Sequence, residues 1–269
     1  MILALIDNGS LEPAAHLNLR AAAVALSARA AVSVIPVSWR HSDRIPEARL
    51  GGRPAPVLIP WVRAQLALGE RRFLFIPFFV SPQGAVGSAL REELEVLSAE
   101  SGGFVFGFTP GLSDKGVLGA IVAGRVRETI AAKGLLRPPV VVVDHGGPSR
   151  ISAELRDGVA ADALSRLGHD IRAMAVSSLE SPDGPEFGHN RPLFAEKLGS
   201  PGFDRGDVVA APLFLSPGRH AGPAGDLAAI AAAAEAGNPG LRIHFADLVG
   251  THPLALDALG RGLEAALRP

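Results

Sequence analysis

Three residues able to hold a transition metal or move protons each follow an apolar run of strand length. His145 closes "VVVVDHGG" (140–147), Glu180 follows "IRAMAVSSLE" (171–180), and His220 follows "VVAAPLFLSPGRH" (208–220). Two imidazoles and a carboxylate can bind a divalent transition metal and still leave coordination positions open. Imidazole also exchanges protons near neutral pH. In open parallel sheets, ligands bind beyond the carboxyl ends of the strands. Gly146 and Gly147 are expected to let the backbone approach a ligand closely. No short spacing of the HExxH kind forces these three side chains together, so the fold must do it.

The remaining histidines read differently. His16 lies on a helix and is expected at the surface. His169 falls in a helix-to-strand turn, and His244 falls inside a strand, packed with its ring hydrogen-bonded. His252, in "GTHP", either caps the helix that Pro253 opens or borders the cleft. His189, in "PEFGHNRP", sits on a polar loop from which it could reach a substrate. Ser149 and Ser216 lie near histidines, but no acid–His–Ser order supports a serine hydrolase. GxSxG, GxGxxG, P-loop and HExxH signatures are absent.

The elements that must position these residues are strands alternating with helices. Strands are expected at 2–6, 31–37, 73–80, 104–108, 140–144, 171–177, 208–215 and 241–246. They are apolar throughout rather than alternating, as strands covered on both faces should be. Helical periodicity sets Val86, Leu90, Leu94 and Leu97 on one face over 84–98, and Ile151, Leu155, Val159 and Leu167 on one face over 151–167. This alternation predicts parallel sheets with right-handed crossovers.

The chain also repeats itself. "LIDNGS" (5–10) parallels "VVDHGG" (142–147), "IPFFVSP" (76–82) parallels "APLFLSP" (211–217), and "PVSWRHSD" (36–43) parallels "AVSSLESPD" (175–183). The offset stays near 135–139 residues. Each half ends in a helix with an arginine at a matching place, Arg125 and Arg261. The expected architecture is α/β: two similar Rossmann-like lobes, each a four-stranded parallel sheet flanked by helices. Their expected bounds are 1–134 and 138–269, joined near "KGLLRPP" (133–139), and the two lobes should face each other across a cleft. The first lobe lacks the ligand set. Asn8 stands where the second has His145, Ala85 where it has His220, and His41 roughly where it has Glu180. A single working site, with the other lobe as a wall, accounts for this.

Composition narrows the classes. The chain has 269 residues, 48% hydrophobic and 20% charged, with a formal net charge of −1. That balance argues against nucleic-acid and anionic-membrane partners. There is no cysteine, which excludes disulfides, thiolate metal sites and cysteine nucleophiles. No signal peptide is read at "MILALIDNGS", and no apolar run approaches the ~20 residues of a membrane span. A cytoplasmic protein is expected.

At these residues the sequence resembles a known family. "DHGGPSR", "SLESPDGPEFGHNRPLF", "PLFLSPGRH" and "GTHPL" look like the type II chelatases of the CbiX/SirB group. The resemblance covers most of the C-terminal half and, more weakly, the N-terminal half. Its most specific piece is "PLFLSPGRH", with the Gly-x-His spacing of Gly218 and His220. The fused lobes resemble the long members of the group, and short members are single lobes that pair. There are departures. The family commonly has HGS where this chain has His145–Gly146–Gly147, and Asp-Ile-Pro where "AGPAGDL" (221–227) follows His220.

The resemblance implies insertion of a divalent metal into sirohydrochlorin or a related tetrapyrrole, in cobalamin or siroheme biosynthesis. The metal, Co²⁺, Fe²⁺ or Ni²⁺, is a substrate, and no other cofactor is implied. His145 and His220, assisted by Glu180, would hold the metal, and one imidazole would relay protons away. The substrate is a polycarboxylate, which calls for cations. Arg219 is the first candidate, then Arg150 and Arg191, with Arg40 and Arg53 reaching from the other lobe. His189 and Ser216 complete the expected substrate-binding set. Fusion of the lobes points to a monomer. Two other classes stay open: a non-catalytic tetrapyrrole or metal carrier, and a metal-dependent hydrolase using the same ligands.

Overall fold

The computed structural model describes residues 1–80 and 85–268, with the side chains of 85–87 excepted. Val86, expected on an apolar helix face, and the pairing of Ala85 with His220 therefore lie outside the described residues.

All eight expected strands form. They are β1 (Ile2–Asp7), β2 (Val34–Ser38), β3 (Arg72–Pro77), β4 (Val105–Phe108), β5 (Pro139–Asp144), β6 (Ala173–Ser178), β7 (Gly206–Pro212) and β8 (Leu241–Phe245). The helices are α1 (Pro13–Ala30), α2 (Leu58–Ala67), α3 (Ala85–Glu100), α4 (Lys115–Lys133), α5 (Arg150–Leu167), α6 (Phe194–Leu198), α7 (Asp226–Gly237) and α8 (Pro253–Leu267). Two four-stranded parallel sheets result, in the orders β2-β1-β3-β4 and β6-β5-β7-β8. Each is covered on both faces, which is why Val140, Val141, Val142 and Val143 of β5 are all buried.

Local signals set the helix ends. Asp114 caps α4 by accepting from the Val117 amide at 3.0 Å, and Ser149 caps α5 by accepting from Ser152. Gly134 ends α4 in the left-handed conformation, in the expected "KGLLRPP" segment. Leu155, Val159 and Leu167 of α5 are buried as expected, but Ile151 is exposed. It lies in the first turn, before the helix reaches the core.

Packing divides the chain into Met1–Ser113 with Pro253–Pro269, and Asp114–His252. The sequence repeat changes over at 134–138, whereas the packing boundaries fall at 113–114 and 252–253. α4 belongs to the second unit, against α5 and β7, and α8 belongs to the first, against α1. Glycines make the α4–α5 contact close. A Cβ on Gly119 would lie 2.1 Å from the Asp162 carboxylate, and one on Gly158 would lie 2.6 Å from the Lys115 side chain. Leu118, Ile121, Val122 and Val126 of α4 are buried. In the first unit, the core gathers Phe73, Phe75, Leu90 and Leu94 around β1 and β3. In the second, it gathers Val141, Val143, Phe194, Val208 and Leu227 around β5 and β7.

Candidate metal-handling site

In the second sheet β5 connects outward to β6, and the chain then crosses back to β7 on the other side of β5. The carboxyl ends of β5 and β7 therefore flank the point where strand order reverses, the usual ligand crevice of an open parallel sheet. His145 leaves β5 there and His220 leaves the loop after β7. Their ring centroids are 4.7 Å apart at an interplanar angle of 82°. Glu180 leaves β6, and its Oε1 lies 3.6 Å from His145 Nε2. The three strand-end groups singled out by the sequence are thus neighbours.

Each imidazole is turned so that one nitrogen faces the protein. His220 Nδ1 donates to Asp226 Oδ2 at 2.7 Å, and His145 Nδ1 lies 3.1 Å from the Gly146 carbonyl. With Nδ1 engaged, Nε2 is the nitrogen left to bind a metal or accept a proton. Among the described residues, no three His, Cys, Asp or Glu side chains converge tightly enough to hold a metal ion together. The arrangement is a two-imidazole seat with an adjacent carboxylate.

The supports below these groups are buried. Arg156 of α5, 2% exposed, donates to Ser178 Oγ at 2.6 Å, to Asp144 Oδ1 at 3.3 Å and to the His189 carbonyl at 3.1 Å. Ser178 Oγ donates in turn to Asp144 at 2.6 Å. Burial raises the Asp144 pKa, while Ser178 and Arg156 act against that rise. The Asp144 carbonyl accepts from Leu179, and the His145 carbonyl from Glu180. The residues that start both site loops are tied to one buried network.

Gly146 also meets a packing need within the protein. At φ +85° its missing Cβ would lie 1.9 Å from the Glu180 carbonyl oxygen, so glycine here lets the β6 loop approach closely. Gly147 faces open space at φ +139° and is held by Asn190, which accepts from its amide and donates to its carbonyl. His189, expected to reach a substrate, is partly buried with Nε2 3.1 Å from that same carbonyl. That contact ties it to the His145 loop. The His220 loop is folded tightly, since a Cβ on Gly225 would fall 2.8 Å from the Arg219 carbonyl.

Residues 140–266 match the model of the CbiX family. That match spans most of the C-terminal half of the chain. No curated protein matches the chain. Among solved structures, SirB from Bacillus subtilis with Fe³⁺ is 14% identical, with a TM-score of 0.66 over 98% of this chain and 94% of that one. The sirohydrochlorin chelatase SirB from Bacillus subtilis subspecies spizizenii, in complex with cobalt, is 14% identical, with a TM-score of 0.69 over 100% and 97%. CbiX, the terminal enzyme for biosynthesis of siroheme in denitrifying bacteria, is 17% identical, with a TM-score of 0.63 over 99% of both chains. At these identities the likeness is one of fold, and it runs through both lobes.

Within the matched half, the expected cations differ in freedom. Arg219 is 82% exposed, with Nε 3.7 Å from Asp226. Arg150 is exposed at the start of α5, and Arg191 is ion-paired with Glu196. Ser216 is partly buried in the loop before His220. In the other unit, Arg40 pairs with Glu93 and lies over the Trp39 ring, and Arg53 is exposed.

The other histidines sort by environment. His16 is fully buried, not at the surface, because it packs under β2 with Nδ1 3.3 Å from Ser38 Oγ. His244 bonds Asp207 at 2.8 Å. His252 lies close to Gly124 of α4, and burial, with Arg125 nearby, lowers its pKa.

Asp226 and Arg156 escaped the sequence reading. Asp226 had a usable signal, a carboxylate opening a helix shortly after a candidate ligand histidine. Arg156 had none, because a buried arginine looks like any other arginine on an amphipathic helix.

Proposed function

We propose that this chain inserts a divalent metal, Co²⁺ or Fe²⁺, into sirohydrochlorin or a closely related tetrapyrrole. The observation that carries this reading is the pair of imidazoles, 4.7 Å apart, at the strand-order reversal of the matched half. Metal insertion breaks two pyrrole N–H bonds and releases two protons as the ring nitrogens bind the metal. A metal that must be handed on is better held loosely than trapped. Two neutral imidazoles with open coordination positions meet that need. Asp226 orients His220 and keeps its Nε2 lone pair available. Glu180, mostly exposed beside His145, is placed to take protons from the macrocycle to solvent. Arg219 supplies a mobile cation beside His220 for substrate carboxylates. The N/O ligand set suits Co²⁺, Fe²⁺ and Ni²⁺ alike, and the iron and cobalt named with the SirB structures favour the first two.

Among the described residues no helix is long and apolar enough to cross a membrane. A macrocycle and a metal ion, rather than a macromolecule, are the expected partners.

The test is anaerobic Co²⁺ or Fe²⁺ insertion into sirohydrochlorin, followed by absorbance. His145→Ala and His220→Ala should each lower the rate by about a hundredfold or more. Wild-type rates in both variants would refute the mechanism. Stoichiometric macrocycle binding without turnover would instead identify a carrier.

A further inference from the structure

The first unit carries a groove that the proposed reaction does not use. It has a volume of about 390 Å³ and opens at the carboxyl ends of β3 and β4, between them and α3. Phe79 and Phe108 supply partly exposed ring faces, Pro77 and Leu90 the apolar floor, and Arg91 a charge at the rim. The Arg91 guanidinium lies over the Phe108 ring, 4.9 Å from its centroid, and 6.0 Å from that of Phe106. A guanidinium held near aromatic rings keeps N–H donors for an acceptor. Among the described residues, no carboxylate forms an ion pair with Arg91.

The internal repeat provides a comparison. The second unit has a groove at the matching place, about 330 Å³ in volume, lined by Pro212, Leu227, Ala228, Phe245 and Asp247 among others. Strand register equates Phe108, beside Phe75, with Phe245, beside Ala210, and the lining pair Leu90–Arg91 of the first groove has Leu227–Ala228 in the second. The apolar frame is common to both units. The charge is not: the first groove has a cation and no acid, and the second has Asp247 and no cation.

We propose that the groove of the first unit binds a planar ring carrying a carboxylate. The ring lies against Phe79 and the floor of Pro77 and Leu90, and the carboxylate meets Arg91. A flat apolar body suits these surfaces, and a carboxylate suits a guanidinium better than any neutral group. The volume admits a one- or two-ring ligand. If the chain acts on a tetrapyrrole, a carboxylated pyrrole corner belongs to this class, but the groove's chemistry stands without that reading.

The probe is indole-3-acetate, titrated into the full chain by calorimetry, with indole-3-acetamide as its neutral twin. The wild-type chain should bind the acetate at least tenfold more tightly than the amide. Arg91→Leu should erase that preference, and Arg91→Lys should keep part of it. An acetate affinity unchanged in Arg91→Leu, or no binding to the wild-type chain, overturns the proposal. Arg91 is exposed, so these variants should fold. Metal insertion is read in a separate assay, so a failed groove and a failed chelatase reading give different results.

Discussion

His220 Nδ1 and Asp226 Oδ2 lie 2.7 Å apart, joining a candidate metal ligand to the first residue of α7. This bond fixes the ring's tautomer and leaves Nε2 as the free nitrogen of a ring that lies 4.7 Å from that of His145, centroid to centroid. A carboxylate partner of this kind orients a ligand histidine for metal binding. Asp226→Asn should weaken Co²⁺ binding about 10–100-fold, read from cobalt absorbance. Asp226→Glu should recover part of the loss. Equal Co²⁺ affinity in Asp226→Asn and wild type would show that the bond does not prepare the ligand.

Gly146 and Gly147 are adjacent and both at positive φ, yet they should respond differently. Alanine at 146 meets the Glu180 carbonyl and must push the β6 loop away. Alanine at 147 meets only backbone strain, because nothing lies within 4 Å of its Cβ. Each should cost about 1–3 kcal/mol of stability through strain. Only Gly146→Ala should also slow metal insertion by more than tenfold, through displaced Glu180. Parallel urea unfolding and insertion assays separate the two effects.

The architecture was readable because its signals are local and repeated. The eight apolar runs and the constant offset predict two parallel sheets, and strand-end logic places His145, Glu180 and His220 on one rim. What escaped depends on contacts between distant segments. The role of Gly146 requires the position of the Glu180 carbonyl. His16 looks like a surface residue until β2 is laid across it. The placing of α4 with the second unit depends on Gly119 and Gly158, whose lack of side chains matters only once α4 and α5 are paired.

Arg156 gives a stability prediction with a built-in control. Its guanidinium is buried against Asp144 and Ser178, so Arg156→Ala leaves a buried carboxylate without its cation. The cost should be about 3–5 kcal/mol. The double variant Arg156→Met with Asp144→Asn removes both charges and should recover most of it. If the double variant is as unstable as Arg156→Ala, packing rather than charge explains the loss. Metal insertion in the double variant then reports whether the network positions His145.

In the first unit the equivalent network has no arginine, and two buried titratable groups share Ser38. Burial raises the Asp7 pKa from 3.8 to about 6 and lowers that of His16 from 6.5 to about 4. Near neutral pH His16 is therefore neutral and Asp7 is only partly able to stay protonated. The two linkages have opposite signs. For His16 the unfolded chain binds the extra proton, so its stabilising contribution is lost as pH falls from 6.5 through 4. For Asp7 the folded chain binds the extra proton, so its contribution is lost as pH rises from 3.8 through 6. Each amounts to about 3 kcal/mol. Over that shared interval they nearly cancel in the wild type. His16→Leu removes one slope, and the variant should gain stability relative to wild type on acidification from pH 6.5 to 4. Asp7→Asn removes the other, and it should lose stability relative to wild type over the same interval. Urea unfolding of all three chains across this range checks both signs. Parallel curves would mean that neither group titrates differently on folding.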